Sequence, residues 1–457
     1  MNSETNIDPD LIRDINTVWH PCTQMKDHET VPPLIIERGE GVYLIDRSGR
    51  RYFDAISSWW VNLFGHNNLR LNSALKYQLE KMAHVMFAGI THRPAVFLAD
   101  SLVRLTPSNL TRVFFSDNGS TSVEVALKMS AQYWQLTGRK KRTRFAYLTG
   151  GYHGETLGAL SVCGIDFFRN KFTDLLLDQV EVSGPDCLRC PYGERPESCG
   201  AECFESMAKA LEENDESLAG VIVEPLVQGA AGMKMYPPVY LQKLQAACAE
   251  RDIHFICDEV AVGFGRTGSL FVCESLGLKP TFLCLSKGIT AGYLPLSATL
   301  VEEKIYQAFY GEYEDFKMFL HSHSYSANPL ACACANETLA MLTENGFMQS
   351  LRPKIDFLEN YGSRLRELPW CGEFRRTGFI ARMELVRDKK TLEPIPLGER
   401  TGYSIYLEAL RRGIFLRPLG NVIYFIPPLI TTKEQLKIMI DSAYDCVKLV
   451  LGDSKHV

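Results

Sequence analysis

The sequence predicts an α/β protein, with a large domain on a mainly parallel sheet and a smaller α+β domain built from both termini. Three observations favour this fold class. The middle of the chain alternates short apolar runs with helical patterns, the tail reads as helix, strands and a final helix, and the first 70 residues contain a hairpin pattern with its turn at Ser48-Gly49. We predict a small-domain segment at 1–75, a large domain at 76–340 and the rest of the small domain at 341–457.

Composition places the chain among ordinary globular proteins. Of its 457 residues, 46% are apolar and 23% are charged, so it can bury a sizeable core without disulfides or metals. The net charge of −5 argues against a nucleic-acid partner. The sequence shows no basic-then-apolar leader pattern, and no apolar run approaches the roughly 20 residues that span a bilayer. We therefore expect a cytoplasmic protein with reduced cysteines and no membrane partner.

The predicted strands of the middle region end in polar or glycine-rich loops. RVFFSDNGS runs into an amphipathic helix, RFAYLTGGYHGETL precedes a small-residue stretch, and LAGVIVEPLV precedes a helix from about Tyr240 to Arg251. HFICDE and TFLCLSKG follow them. In an open α/β sheet, ligands bind at the carboxyl ends of the parallel strands. We therefore expect the residues that follow these runs to meet at one edge of the sheet.

An acid and a lysine follow the last two of these runs. Asp258 ends one run, Lys287 ends the other, and Arg266 stands in the glycine-rich loop between them. A buried lysine becomes a nucleophilic amine that can hold an aldehyde cofactor covalently, while an acid can keep a ring nitrogen protonated. For each residue alone, a solvated lysine or a capping aspartate is the ordinary alternative. Together they indicate pyridoxal-phosphate chemistry.

Two other loops suit the same cofactor. Gly119 and Ser120 open a predicted helix, and backbone N–H groups at a helix N-terminus bind phosphate, although for these residues alone an ordinary N-cap is the favoured interpretation. Tyr152 and His153 follow two glycines and offer a flat ring to stack on a pyridine, with a turn carrying incidental aromatics as the alternative.

Three weaker features remain. Trp59 and Trp60 follow two serines, and we expect at least one of them in the core. The polar stretch HSHSYSAN, residues 321–328, offers hydroxyls to a phosphate. Arg417 precedes a proline turn, where its planar guanidinium can hold a substrate carboxylate, although a surface salt bridge is the default for any arginine.

Four cysteines form a C-x2-C-x8-C-x3-C pattern in a loop-like stretch. They are Cys187, Cys190, Cys199 and Cys203. Four thiolates at such spacing can bind zinc in a tetrahedral site, but the middle spacer is shorter than in common zinc ribbons. We favour a surface excursion with free thiols and predict no metal.

In this order the motifs resemble the class III (subgroup II) aminotransferases of fold type I over nearly the whole chain. The most specific are WHPCTQM, SSWW, HVMFAGITHRPA, GYHGETLGA, EPLVQGAAGM, DEVAVGFGRTG, LSKGIT and RPLGNVIYFIPP. The tryptophan pair, GITHRPA and the RPLG arginine resemble the branch that converts 8-amino-7-oxononanoate to 7,8-diaminononanoate in biotin biosynthesis. The alternatives are a class III enzyme acting on ω-amino acids or diamines, and a non-catalytic cofactor-binding protein.

The resemblance implies roles around pyridoxal 5′-phosphate, with small-molecule substrates and a homodimer whose chains share active sites. Lys287 would hold the cofactor and shuttle a proton, Asp258 would pair with the ring nitrogen, and Tyr152 would stack on the ring. The positions that the resemblance assigns to the phosphate and its surroundings are Gly119, Ser120, His323 and Ser324. Ser324 would come from the second chain of the homodimer.

The resemblance also implies positions for the substrates. Trp59 would line the substrate tunnel, Arg417 would hold the keto substrate's carboxylate, and Arg266 would lie near the donor's carboxylate. Cys22 stands where members that use S-adenosylmethionine carry tyrosine, and 322–324 reads Ser-His-Ser where they carry Gly-Pro-Thr. Both departures resemble a subgroup that uses lysine as amino donor. The second departure begins at Ser322, which the resemblance places near the substrate. The sequence therefore leaves two candidate amino donors, with a slight preference for lysine.

Overall fold

The computed structural model of the chain describes residues 8–452, so both outer ends of the predicted small domain lie outside the described residues. Its strands are β1 (Ile36–Glu40), β2 (Tyr43–Asp46), β3 (Arg51–Asp54), β4 (Leu110–Ser116), β5 (Arg144–Leu148), β6 (Val180–Val182), β7 (Leu218–Val223), β8 (Val227–Gln228), β9 (Lys234–Met235), β10 (His254–Asp258), β11 (Phe282–Leu285), β12 (Ser297–Glu302), β13 (Cys371–Thr377), β14 (Ile380–Asp388), β15 (Glu393–Pro394), β16 (Ile414–Phe415) and β17 (Val422–Phe425).

Helices of widely different length connect these strands. They span Pro9–Thr17, Leu69–Leu79, Arg93–Leu105, Gly119–Leu136, Leu157–Ser161, Asp166–Arg169, Glu205–Glu213, Pro238–Glu250, Val272–Ser275, Glu303–Phe309, Pro329–Thr343, Phe347–Gly362, Thr401–Arg411 and Lys433–Gly452. Short 3-10 turns lie at Met25–Glu29, Thr173–Leu175, Glu202–Phe204, Lys287–Thr290, Tyr313–Asp315, Ser363–Glu367 and Leu397–Glu399. Within residues 8–452, none of these helices combines the length and apolarity that crossing a membrane requires.

The large sheet confirms the predicted α/β class. Its strand order is β4-β12-β11-β10-β7-β5-β6. The five strands from β11 to β6 run parallel, and β12 runs antiparallel to both of its neighbours. Strands β7, β10 and β11 are buried along their whole length, which explains why they read as continuous apolar runs.

Both chain ends build the smaller α+β domain, as predicted. Strand β16 pairs in parallel with β3, placing Ile414 beside Phe53, and β13, β14 and β17 form a second antiparallel sheet. The core of this domain packs Val42 and Phe53 from the N-terminal segment against Leu436 from the last helix. The exact domain boundaries stay predictions. The boundary placed after residue 75 falls inside helix Leu69–Leu79.

The parallel arrangement brings distant segments to one edge of the sheet. Strand β10 ends at Asp258, and β11 pairs with it so that Asp258 lies opposite Cys284, three residues before Lys287. Strands β5 and β7 end at the same edge, where the chain continues into the glycine loop before Tyr152 and into Glu224. The sheet topology therefore gathers the residues that the sequence predicted would meet.

Candidate active site

A cavity of about 480 Å³ opens at this carboxyl edge of the sheet. Its wall includes five residues predicted from the sequence to surround a cofactor: Gly119, Ser120, Tyr152, Asp258 and Lys287. Strand β10, the helix that begins after β4, the loop after β5 and the turn after β11 each contribute at least one of them. The structure thus brings together residues that are up to 168 positions apart in the chain, from Gly119 to Lys287.

Lys287 stands at the centre of this site. Its backbone is left-handed, with φ of 46°, and its ammonium nitrogen lies 4.2 Å from the centroid of the Trp60 ring. Burial lowers the pKa of Lys287 to about 8, against the opposing influence of the Asp258 and Glu224 carboxylates. The amine is therefore neutral more readily than a solvated lysine, and a neutral amine is the form that attacks an aldehyde.

Asp258 is held by two hydrogen bonds. One of its oxygens lies 2.7 Å from Nδ1 of His153, and the other accepts from the backbone N–H of Val260 at 3.0 Å. Asp258 and His153 are 4% and 3% exposed, and the second ring nitrogen of His153 is buried without a partner. The edge of the His153 ring positions Asp258 while the residue also lines the cavity, so stacking on its face stays a prediction.

Glu224 is a member of the site that the sequence reasoning missed. Its carboxylate accepts hydrogen bonds from the backbone N–H groups of Tyr152 and Gly229, each at 2.9 Å. Burial raises the pKa of Glu224 to about 7, partly offset by the nearby His153. The signal available in the sequence was its position, because Glu224 directly follows strand β7 as Asp258 ends β10.

The N-terminus of helix Gly119–Leu136 forms an anion cradle. The side chain of Asn118 caps this helix by accepting from the backbone N–H of Thr121, and the first intrahelical bond runs from the N–H of Ser122. The N–H groups of Gly119 and Ser120 are therefore available to bind an anion. A Cβ atom at position 119 would lie 2.7 Å from the Val260 side chain. Glycine is therefore required here by close packing, and the cradle fits the phosphate expected from the sequence.

Tyr152 forms one wall of the cavity. Its ring packs against Phe168 with the centroids 5.1 Å apart, and its hydroxyl donates to Glu155 at 2.9 Å. Burial, followed by the charges of Glu155 and Cys22, raises the pKa of Tyr152 well above its usual value. The phenol stays neutral, and its position beside the cavity is consistent with the predicted stacking role.

The Ser57–Trp60 turn has left-handed backbone at four successive residues, with φ of 52°, 46°, 72° and 74°. Non-glycine residues in this conformation cost about 1–3 kcal/mol each, so tertiary contacts must impose the turn. The buried Asp54 carboxylate accepts from both the backbone N–H and the hydroxyl of Ser58, at 2.9 and 2.7 Å. The turn places Trp60 in the core beside Lys287, which confirms that one tryptophan is buried, and leaves Trp59 42% exposed.

Arg266 corrects a prediction made from the sequence. It is 1% exposed and does not line the cavity. Its guanidinium donates to the carbonyls of Pro427 at 2.8 Å and Asn62 at 2.7 Å, and also reaches the carbonyl of Trp60. With both terminal nitrogens bound to backbone carbonyls and its side chain away from the cavity wall, Arg266 is not placed to bind a donor carboxylate. It joins the N-terminal segment to the C-terminal segment beneath the site.

Three other predicted residues form a group beside the cavity. The Arg417 guanidinium lies 4.9 Å from the centroid of the Trp59 ring and donates to the carbonyl of Cys22 at 3.1 Å. Arg417 is half-buried and Cys22 is exposed. The structure therefore brings together the residues to which the sequence assigned the keto substrate. The guanidinium of Arg417 is the cation among them, and it is within reach of solvent.

The 321–328 stretch lies close to the phosphate cradle of its own chain. Nδ1 of His323 is 2.6 Å from the carboxylate of Asp117, which is part of the cavity wall. Ser322 and Ser324 are not among the described residues that line the cavity. A contact of Ser324 with the phosphate of a second chain therefore remains a prediction.

The cysteine pattern forms a separate group, away from the cavity at the sheet edge. All four of its cysteines are half-buried free thiols and line another cavity, of about 370 Å³. Burial raises the pKa of Cys187 to about 11, which disfavours the thiolate. Among residues 8–452, no three of these sulfurs come within 4.8 Å of one another, as metal binding by them would require.

The site has the parts that pyridoxal phosphate requires. Lys287 offers a reactive amine, Asp258 a fixed carboxylate, Tyr152 an aromatic wall, and Gly119 with Ser120 an anion cradle. All of them face one cavity, so they can act on one bound group.

Comparisons with known proteins agree with this chemistry. The family model for class-III aminotransferases matches residues 24–447. Among curated relatives, the adenosylmethionine-8-amino-7-oxononanoate aminotransferase of Geobacter sulfurreducens is 44% identical, over 95% of this chain and 96% of its own length. The crystal structure of the enzyme of that name from Methanocaldococcus jannaschii superposes with a TM-score of 0.91 at 41% identity, covering 97% and 99% of the two chains. An amine transaminase from an uncultivated Pseudomonas species, solved with PLP bound, superposes with a TM-score of 0.89 at 33% identity, covering 95% of this chain and 99% of its own.

The lowered pKa of Lys287 predicts how fast cofactor-free protein takes up pyridoxal phosphate at different pH values. The rate should rise through a midpoint near pH 8, because only the neutral amine attacks the aldehyde, whereas an ordinary lysine titrates near about 10.4. Stopped-flow measurement of the bound cofactor's visible absorbance gives this profile. In Glu224→Gln the midpoint should fall, because a carboxylate that favours the ammonium is removed. A wild-type midpoint near 10 would contradict the prediction.

Substituting Arg266 tests its structural role. Arg266→Met leaves three buried carbonyls without their donor, and each unsatisfied group costs about 1–3 kcal/mol, so the melting temperature should fall by about 5 °C or more. The control is Arg139→Met, because the Arg139 side chain is 50% exposed in its pair with Asp252 and should contribute little. Scanning calorimetry compares the two variants, and equal melting temperatures would show that Arg266 is not a structural tie.

Proposed function

Because the chain belongs to the class-III aminotransferase family, we propose that it transfers an amino group to 8-amino-7-oxononanoate, giving 7,8-diaminononanoate in biotin biosynthesis. The observation that carries this proposal is the lowered-pKa amine of Lys287 in one cavity with Asp258 and the phosphate cradle. Identities of 42–44% to relatives named for this reaction, over nearly the whole chain, support the substrate.

Pyridoxal 5′-phosphate is the cofactor of this enzyme. When bound, it withdraws electrons from the substrate carbon that loses a proton. The chain's own groups would orient it: Asp258 would favour a protonated ring nitrogen, Tyr152 would pack against the ring, and Gly119 and Ser120 would bind the phosphate. Lys287 would hold the cofactor, and its amine is the group placed to act as the base that removes the proton. The low pKa of its amine suits this second task near neutral pH.

The group beside the cavity supplies the substrate specificity. Arg417 carries the positive charge that a long-chain keto acid needs for its distal carboxylate, and Trp59 offers an apolar face to the intervening methylenes. Cys22 presents a thiol where relatives that use S-adenosylmethionine carry a phenol, so this chain has one fewer strong hydrogen-bond donor at the same place. The departure at Cys22 favours lysine as amino donor, whereas the names of the curated relatives favour S-adenosylmethionine.

A second candidate substrate class is ω-amino acids or simple amines. It rests on omega transaminases such as that of Pseudomonas jessenii, which superposes with a TM-score of 0.92 at 29% identity over 97% of this chain and 98% of its own. The lower identity makes it the weaker candidate.

Half-reactions separate these possibilities. Holoenzyme is mixed in turn with S-adenosylmethionine, lysine and an ω-amino acid, and the visible absorbance of the cofactor is followed. A true donor bleaches it, and 8-amino-7-oxononanoate should then restore it. If the absorbance is not restored, the proposed substrate is wrong, and the donor that bleached it indicates the class of the enzyme.

Replacing Lys287 tests the catalytic assignment. Lys287→Ala should retain cofactor through the cradle but lose turnover by about 10³-fold or more, because both the covalent anchor and the base disappear. The exposed Lys279→Ala serves as control and should keep wild-type activity. Coupled assay of diamine formation measures both variants, and substantial activity in Lys287→Ala would refute its role.

We also propose that the working enzyme is a homodimer with shared active sites. The segment 310–325 carries large apolar side chains in solvent, with Leu320 82% and Tyr325 65% exposed, and it adjoins the cradle through His323 and Asp117. Exposed apolar surface of this kind marks a contact with another protein. A second chain covering this segment would bring the cradles of two chains close together, where Ser324 of one chain could reach the phosphate of the other.

Sedimentation tests the dimer. The protein should sediment at twice its chain mass of 51.5 kDa, and Leu320→Asp should shift it towards monomer and lower its affinity for cofactor, because a charge would be buried in the contact. The matched control is Ile438→Asp, on the last helix and 52% exposed, which should remain dimeric. A wild-type monomer with full activity would exclude a shared site.

A further inference from the structure

Three side chains of types that can bind a metal ion lie together in the N-terminal segment, outside the cavity at the sheet edge. The carboxylate of Asp14 is 2.8 Å from Nε2 of His20, and the rings of His20 and His28 meet edge to face with centroids 4.9 Å apart. One ligand atom from each of the three residues lies within 4.8 Å of the other two. Within residues 8–452, no other group of three such side chains meets this limit.

The histidine that completes the cluster has an unused nitrogen. Nδ1 of His28 is buried from solvent and has no hydrogen-bond partner. A buried ring nitrogen without a partner is unfavourable by about 1–3 kcal/mol unless something binds to it. All three side chains are partly buried, and about a quarter of the surface of the Asp14 and His20 side chains remains open to solvent, with exposures of 27% and 28%. An ion can therefore enter, and water can complete its coordination.

The cluster is held in place from both sides. Arg47 pairs with Asp8 and Asp10 at 3.0 and 2.8 Å, which fixes the helix that carries Asp14. Arg400 pairs through both of its terminal nitrogens with Asp27, the residue next to His28. Bidentate arginine–carboxylate pairs fix geometry as well as add energy. The ligand side chains thus come from a preformed scaffold.

We propose that Asp14, His20 and His28 bind one divalent transition-metal ion, with water in the remaining positions. Two imidazoles and one carboxylate suit zinc, nickel or cobalt, and hard cations such as magnesium prefer oxygen ligands alone. Ligand bonds of about 2.0–2.2 Å place ligand atoms about 3–3.5 Å apart, so Asp14 and His20, now 2.8 Å apart, separate slightly and His28 approaches. The ion replaces the hydrogen bond between Asp14 and His20.

The ion would also act on the substrate pocket. His20 and His28 bracket Cys22, whose carbonyl accepts from Arg417. Binding joins this stretch to the helix Pro9–Thr17 and restrains the carbonyl that positions the Arg417 guanidinium. The inference does not depend on the identity of the keto substrate, because the metal is bound by the N-terminal segment alone.

Calorimetric titration of the holoenzyme with Ni²⁺ in a non-chelating buffer tests the site. Wild type should bind one ion per chain, and His28→Ala and Asp14→Asn should each weaken binding at least about tenfold. The matched control is the exposed His84→Ala, and Cys187→Ser tests the cysteine group; both should bind Ni²⁺ like wild type. The cofactor's visible absorbance shows whether each variant is folded. If His28→Ala does not fold, Asp14→Asn tests the site instead, because it keeps the side-chain volume.

Three outcomes would overturn the proposal. Wild type that binds no Ni²⁺, or His28→Ala and Asp14→Asn that bind it with wild-type affinity, would show that these side chains form no metal site. Binding lost in Cys187→Ser alone would assign the ion to the cysteine group instead. None of these results depends on transaminase activity, so failure of this proposal and failure of the proposed function are separable.

Discussion

The buried amine of Lys287 among carboxylates is the interaction on which the rest of the site depends. A lone ammonium in a protein interior is unfavourable, and so are the lone carboxylates of Asp258 and Glu224. Each charge is tolerated because the others lie near it and because backbone N–H groups and His153 bind the two acids. The pKa values of Lys287 and Glu224, about 8 and about 7, show that this compensation is incomplete. An amine that loses its proton readily is the consequence, and it is what the chemistry needs.

Maintaining that arrangement requires the two ends of the chain. The strained Ser57–Trp60 turn places an indole ring against Lys287, and the turn is imposed by contacts to residues far away in sequence. The Ser57 hydroxyl donates to the carbonyl of Ile426, and Arg266 binds carbonyls on both sides of the junction. The smaller domain therefore supports the surroundings of Lys287, because its contacts hold the Ser57–Trp60 turn.

The N-terminal segment connects three properties of the enzyme. It supplies Cys22 beside Arg417, it carries the Asp14–His20–His28 cluster, and it is anchored to the body of the protein by Arg47 and Arg400. Substrate choice and metal binding would thus be properties of one short part of this segment, residues 14–28, none of which is buried in the core.

The sequence by itself determined the α/β class, the contribution of both termini to the smaller domain, and the cavity residues Asp258, Lys287, Gly119 and Ser120. These follow from local patterns, since apolar runs mark buried parallel strands and ligands meet at their carboxyl ends. Only the tertiary structure decided that Arg266 binds backbone carbonyls instead of substrate, that His153 supports Asp258, that Glu224 joins the site, and that Ser57–Trp60 is left-handed. The physical reason is the same in each case: partners distant in the sequence set burial and hydrogen bonding. A local pattern, such as the position of Glu224 directly after β7, locates a residue at the sheet edge but does not identify those partners.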